Sequence, residues 1–287
     1  MINKHLNLRE HYKNRYRRGL KPLTICIGII CEKRKKAIAI ADRMITDDEL
    51  SIQFEHTETK ISKLSKNCIA MTSGSAFFFQ EILDPITEKY NDKSPRISEI
   101  KEAIANSYSE IRKKKIEDLY FKPMNLTIER FNQEQSNLDE RIIEGLGRVF
   151  QEFEFPGGLE ILVIGVDDKA HVYLVNNPGI ATPLDAVGWG SIGTGSPHAE
   201  YTFISGEYCT KFPFNKAVYL AYEAKRRAEV APGVGKATDI YLIDNKDIHE
   251  LSKEGKEKLK NIFDEKEKSI RPIEKDSMEK VSKLTLW

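Results

Sequence analysis

The chain has 287 residues, enough for one large domain or two small ones, and its 40% hydrophobic content can fill a core. Its net charge of +1 conceals clustering: residues 1–23 hold seven Lys or Arg against one acid, Glu10. No apolar run reaches the roughly 18 residues a membrane-spanning helix needs, and the basic start has no apolar core before Pro22, so neither a span nor a secretory signal is expected.

Such a basic tail could touch RNA or acidic lipid, but a solvated extension is the simpler reading, with no nucleic acid and no membrane as partner. The cysteines, Cys26, Cys31, Cys68 and Cys209, have no metal-ligand spacing. Cys26 and Cys68 lie in apolar runs and read as buried small hydrophobes. No disulfide framework, metal or cofactor is expected, and the setting implied is reducing and cytoplasmic. Asn125-Leu126-Thr127 then matches a glycosylation acceptor by chance.

Residues 24–31 are an apolar, Ile-rich run of the kind that makes a buried strand, and residues 37–42 make a second. The charged turn Glu32-Lys33-Arg34-Lys35-Lys36 joins them into a hairpin. Strands are predicted over 60–64 and 68–72, and Ser73-Gly74-Ser75 turns into a helix near Ala76 that Pro85 should bend or end. A second helix starts near Ile97, with Ile97, Ile100, Ile104, Tyr108 and Ile111 on one face. Residues 113–157 look like an insertion, helical at least in the second half through Leu138, Ile142, Leu146, Phe150 and Phe153.

Strands follow at Leu159 to Val166 and His171 to Val175, with Asp167-Asp168-Lys169 as their turn. The glycine-rich stretch Gly188 to Gly195 leads to Ser196-Pro197, read as a helix cap and first helical residue. Ala217, Leu220, Ala221, Ala224 and Ala228 mark a further helix, and 239–244 a last strand. Beyond Asn245 the chain is charged, with one helix through Leu259, Ile262 and Phe263. Strand pairs separated by helix pairs suggest two stacked sheets between helical layers.

The chemistry concentrates early. Thr24 opens the first strand, Asp42 closes the second, and Lys60 and Gly74 follow. A hydroxyl, a carboxylate, an amine and a glycine amide are the parts an N-terminal nucleophile uses, with the hydroxyl attacking a carbonyl and an amine managing the proton. Thr24 is preceded by Leu23, so its own amine is not free in this sequence. Each residue also has an ordinary reading: a strand-opening threonine, a surface ion pair of Asp42 with Arg43, a solvated lysine, a turn glycine. Gly188-Trp189-Gly190-Ser191-Ile192-Gly193 is not the first turn of a βαβ unit, so it is not a dinucleotide site. The six histidines are scattered without useful partners, and neither HExxH nor a G-x-S-x-G elbow is present.

In order, these motifs resemble the proteasome β-type family of N-terminal nucleophile hydrolases. Thr24-Ile25-Cys26-Ile27-Gly28-Ile29 is similar to the family's opening strand, and Ala39-Ile40-Ala41-Asp42-Arg43 to its A-x-A-D-R motif. Lys60-Ile61 falls at the active-site lysine, Met71-Thr72-Ser73-Gly74 resembles the M-T-x-A-G turn, and Ile192-Gly193-Thr194-Gly195-Ser196-Pro197 resembles G-S-G-S-P. Ala217 to Arg227 and Thr238 to Ile243 match the last helix and closing strand.

The resemblance covers about residues 24–112 and 158–245. It implies an α+β fold, the αββα four-layer sandwich of the N-terminal nucleophile hydrolase type, flanked by a basic extension or propeptide over 1–23 and a charged, partly helical extension over 246–287. It implies a threonine protease acting through an acyl-threonine intermediate after N-terminal processing. Thr24 would be nucleophile, Lys60 base or cation, Asp42 its orienting carboxylate, Gly74 oxyanion donor and Thr194 support. Peptides or unfolded proteins would be substrates, a homo-oligomeric ring the assembly, and an ATPase unfoldase a candidate partner. The chain departs from the family in Leu23 where active subunits carry glycine, in Ala231-Pro232-Gly233-Val234-Gly235 where a supporting Asp and Ser are expected, and in the 113–157 insert. The alternative reading is therefore a catalytically silent ring or scaffold subunit.

Overall fold

A computed structural model describes residues 23–47, 52–57 and 59–284. The basic extension, except for Leu23, lies outside the described residues. The fold is mixed α+β with antiparallel sheets. Strands β1 (Cys26–Cys31) and β2 (Lys36–Asp42) form the central hairpin, and every residue of β1 is buried. A strand alternates its side chains between faces, so β1 must satisfy two cores. Ile27 and Ile29 enter one, Cys26 and Ile30 the other. Gly28 shares the second face because a Cβ there would stand 3.1 Å from Ile164 Cδ1 and 3.3 Å from Leu162 Cδ2 of the opposing sheet.

The first sheet has the order β10 (Trp189–Ile192), β1, β2, β11 (Thr238–Ile243), β12 (Ile248–Glu250). The second runs β5 (Ile61–Ser65), β6 (Cys68–Gly74), β7 (Leu159–Val166), β8 (Ala170–Asn176), β9 (Ile180–Pro183). A separate hairpin, β3 (Met44–Asp47) and β4 (Ile52–Glu55), follows β2. The two large sheets face each other across a core containing Cys26, Ile30, Ala39, Met71, Leu162 and Val172.

Outside the second sheet, α1 (Ala76–Tyr90) and α2 (Ile97–Ile116) pack Ile82, Ile86, Ile100 and Ile104 on Ala70, Ile161 and Val163. Outside the first, α5 (Ser196–Ser205) and α6 (Phe214–Ala228) pack Phe203, Ala217, Ala221 and Ala224 on Ile25, Ile27 and Ile40. The layers therefore run helices, sheet, sheet, helices.

Residues 113–157 carry α3 (Ile128–Glu134) and α4 (Glu140–Glu152) after a π turn at Glu117–Phe121 that continues α2. Their small core joins Ile116, Phe121, Ile128, Phe131 and Leu146. Arg112 ties it to the body, donating from Nε to the Phe153 carbonyl at 3.2 Å and to Asn177 Oδ1 at 2.8 Å. The C-terminal helix α7 spans Lys253–Ser282, docking Phe263 against Tyr222 and an Arg227–Glu267 pair at 2.6 Å on α6.

Three local expectations are corrected. Of the bend or end expected at Pro85, the end does not occur, because the proline removes only one backbone donor while Ile82, Leu83, Ile86 and Tyr90 anchor the helix on both sides of it. Ser196 does not cap α5: Gly195 holds that position, Ser196 is the first helical residue, and its buried hydroxyl has no hydrogen-bond partner among the described residues. The short strands β3, β4, β9, β10 and β12 add to the expected set, since each carries too few residues to show a period.

Candidate active site

The β1–β2 hairpin sets Cys26 opposite Ala41, which brings the residues before β1 beside the end of β2. The ladder continues one step, with the Asp42 amide donating to the Ile25 carbonyl at 3.1 Å. Thr24 and Asp42, 18 positions apart, thereby become neighbours. The Thr24 hydroxyl donates to Asp42 Oδ1 at 2.6 Å. Lys60, just before β5, reaches in from the second sheet. Its Nζ donates to Thr24 Oγ1 at 2.6 Å and to Asp42 Oδ1 at 2.8 Å. Hydroxyl, carboxylate and ammonium thus form a closed triangle.

Asp42 has no solvent exposure. A buried carboxylate is tolerated only when its lone pairs are filled, and here the backbone fills those the side chains leave. Ile25 N–H reaches Oδ1 at 3.1 Å, while Met44 and Gly235 N–H reach Oδ2 at 3.0 and 2.9 Å. Arg43 does not pair with Asp42. It binds Asp239, donating from Nε at 2.8 Å and from Nη2 at 2.5 Å. Burial pushes the Asp239 carboxyl up, but the Arg43 guanidinium and further donors prevail and hold it below the usual range.

Thr194 lies on the other side of Thr24. Its Oγ1 accepts from the Thr24 amide at 3.3 Å and donates to the Pro232 carbonyl at 3.0 Å. The Gly195 amide donates to the Thr24 carbonyl at 3.1 Å. Gly193 has a φ of +95°, and a Cβ there would stand 2.3 Å from the Thr24 carbonyl oxygen, so only glycine allows this approach.

Asp42 and Lys60 therefore meet at the Thr24 hydroxyl, while Thr194 holds the Thr24 backbone. Gly74 ends β6 and, among the described residues, is not a hydrogen-bond partner of those four. It lies two residues beyond Thr72, whose carbonyl accepts from Cys26 Sγ at 3.5 Å, so this end of β6 lies against the start of β1. Burial pushes the Cys26 thiol up to about 12, and the residue acts as packing. Thr24 itself is 4% exposed, and Leu23 sits over Gly233.

Sequence reasoning did not find Gly235, Pro232 or Glu55. Glu55 Oε1 accepts the amides of Lys236 and Ala237 at 2.6 and 2.8 Å, fixing the loop that serves Asp42 and Thr194. The only signal was the Pro-Gly-x-Gly spacing at 232–235, which marks a turn and names no partner.

The expectation that histidines lack partners is corrected at His171. Its Nδ1 lies 2.7 Å from Asp185 Oδ2 and its Nε2 3.3 Å from Asp167 Oδ1, while Arg34 Nη2 lies 2.5 Å from Asp185 Oδ2. Asp185, more than its neighbours, raises the His171 pKa. A strand residue, His171, meets turn and loop residues here, which spacing along the chain does not reveal. Arg34 belongs to the β1–β2 turn, so this cluster lies at the far end of the hairpin, about 20 Å of strand away from Thr24.

A cavity of about 410 Å3 lined by Val187, Trp189, Phe203, Ile204, Tyr208 and Cys209 contains none of the Thr24 cluster. The four cysteines are free. Among the described residues no cluster of acids, histidines and cysteines could hold a metal ion, and no helix is long and apolar enough to cross a membrane. Compared with known protein families and with curated proteins, the chain finds no match in either.

Proposed function

We propose that this chain is a proteasome-like threonine peptidase, and that its four layers are the αββα sandwich of the N-terminal nucleophile hydrolases. The observation that carries the reading is the closed triangle of Thr24 Oγ1, Lys60 Nζ and Asp42 Oδ1, with edges of 2.6, 2.8 and 2.6 Å. Activation begins with scission of the Leu23–Thr24 peptide bond, which frees the Thr24 amine. Such an amine titrates near ~7.7–8.0 and can take up and return a proton at neutral pH.

Thr24 Oγ then attacks the carbonyl carbon of a substrate peptide. Its proton passes to the amine or to Lys60, whose ammonium in the charged state also draws electron density from Oγ. Asp42 orients Lys60 and is itself held by three backbone amides. In this reading the Gly74 amide is the donor to the developing oxyanion, a role worth ~3–4 kcal/mol in proven cases. Collapse passes the proton taken from Oγ to the leaving nitrogen, expels the amine half of the substrate and leaves an ester on Thr24, which water hydrolyses to release the acid half and restore the hydroxyl. Thr194 Oγ1, already bonded to the Thr24 nitrogen, steadies the free amine. A cytoplasmic homo-oligomeric ring fed by an unfolding ATPase completes the reading.

A specific observation favours the second reading, a silent ring or scaffold subunit. Leu23 stands where active members of the resembling family carry glycine, and it packs so closely on Gly233 that a Cβ there would lie 2.2 Å from the Leu23 Cβ. Intact mass and N-terminal sequencing of the purified chain separate the two. A product starting at Thr24 and hydrolysing peptides supports the peptidase, and Thr24→Ala then retains the upstream segment and is inactive. A stable chain that keeps Leu23 and hydrolyses nothing sinks the peptidase reading in favour of the scaffold.

A further inference from the structure

The loop between α6 and β11 touches both sides of the Thr24 cluster. The Gly235 amide donates to Asp42 Oδ2 at 2.9 Å, and the Pro232 carbonyl accepts from the Thr194 hydroxyl at 3.0 Å. The loop is gripped from two directions. Glu55 takes the Lys236 and Ala237 amides from the hairpin side. From beneath, Lys225 on α6 donates its Nζ to the Lys236 carbonyl at 2.8 Å and to Glu229 Oε1 at 2.6 Å.

Lys225 has no solvent exposure. It stands on the helix face that otherwise buries Ala217, Ala221, Ala224 and Ala228. Taking an ammonium out of water is costly, and a well-packed apolar residue commonly serves stability as well or better. What an ammonium supplies at this position is a geometric link, since it ends on a loop carbonyl one residue from the amide that serves Asp42. Burial lowers the Lys225 pKa, opposed chiefly by the Glu229 carboxylate.

We propose that Lys225 is a positioning residue for the Thr24 site: by pinning the Lys236 carbonyl it holds the 229–237 loop where Gly235 meets Asp42 and Pro232 meets Thr194. Its catalytic consequence rests on the peptidase reading, while its effect on the loop does not.

The test uses the full chain and Lys225→Met, which keeps the apolar stem and removes the donor. Amide hydrogen exchange at Gly235 and Lys236 should accelerate about tenfold or more relative to Val163 and Ile164 in β7. Unchanged exchange at the loop overturns the proposal. Equal acceleration in β7 also overturns it, because Lys225 is then a general stabiliser. If Lys225→Met does not fold, Glu229→Gln is measured in the same way, with loop-selective acceleration of about threefold expected and the same two outcomes against it. Where the wild type hydrolyses peptides, Lys225→Met should lower kcat about tenfold with KM within about twofold, and an unchanged kcat overturns the proposal. A wild type without peptidase activity defeats the function proposed above, and amide exchange alone then decides the role of Lys225.

Discussion

The two ends of the β1–β2 hairpin carry similar chemical groups in different surroundings. At one end Asp42 is wholly buried, bonded to Lys60 and three backbone amides, and a hydroxyl completes the set. At the other, Asp185 joins His171 and Arg34, the three side chains remain 19–31% exposed, and no hydroxyl joins the cluster among the described residues. Charges in contact with solvent are screened and contribute little. A buried carboxylate cannot lose a partner without stranding the rest. The first arrangement can hold a nucleophile in one geometry, and the second serves as a polar clasp between turns.

The sharpest way to break this contrast is Asp42→Ala. It strands the Lys60 ammonium and the Ile25, Met44 and Gly235 amides, and should cost about 3–5 kcal/mol, read from urea unfolding. A loss below about 1 kcal/mol would equate the two ends and remove the physical basis of the site. Gly193→Ala comes next. Its φ of +95° and the Thr24 carbonyl 2.3 Å from the new Cβ should cost about 1–3 kcal/mol and displace Thr24. Thermal unfolding with peptide hydrolysis measures both effects, and a neutral result would show that the Thr194 segment does not constrain Thr24.

Where the wild type hydrolyses peptides, Thr24→Ala should abolish that activity, and in any case lower stability by about 1–2 kcal/mol, because two hydrogen bonds go but the Lys60–Asp42 pair remains. Hydrolysis surviving in that variant would move the chemistry elsewhere.

The smallest effect lies at the far end and depends on pH. Asp185 raises the His171 pKa above its ordinary value of 6.5, so the clasp stabilises fully below 6.5 and loses that contribution as pH rises through the folded value. For Asp185, burial raises the pKa, but His171 and the Val172 amide prevail and lower it below 3.8, so its contribution holds above 3.8 and fades as pH falls through the folded value. The stability gap between wild type and His171→Ala should therefore be widest between about pH 4 and 6.5, at about 1 kcal/mol or less, and shrink above. Urea midpoints at pH 6 and pH 9 test this, and a gap that widens with pH contradicts it.

Much of the architecture was legible because long elements repeat a pattern. Ile97, Ile100, Ile104 and Tyr108 declared one face of α2, and the Ile-rich runs declared β1 and β2. Pro85 did not end α1 because a local rule met a helix already anchored by its apolar face. Five candidate residues, Thr24, Asp42, Lys60, Gly74 and Thr194, could be named from short motifs in order, and the structure links all but Gly74 by hydrogen bonds. Lys225, Glu55 and Gly235 could not, since a lysine among alanines on a helix looks like a surface residue until the helix is docked.

The sequence by itself determined which residues alternate or recur, and hence the strands, the helices and the candidate hydroxyl, carboxylate and amine. Those follow from local sterics and apolar spacing, which act over a few residues. Only the tertiary structure decided that Asp42 turns away from Arg43 toward Lys60, that Lys225 ends under the 229–237 loop, and that His171 finds Asp185. Each depends on groups far apart along the chain meeting where water is excluded, and the cost of an unpaired buried charge then dictates the partner.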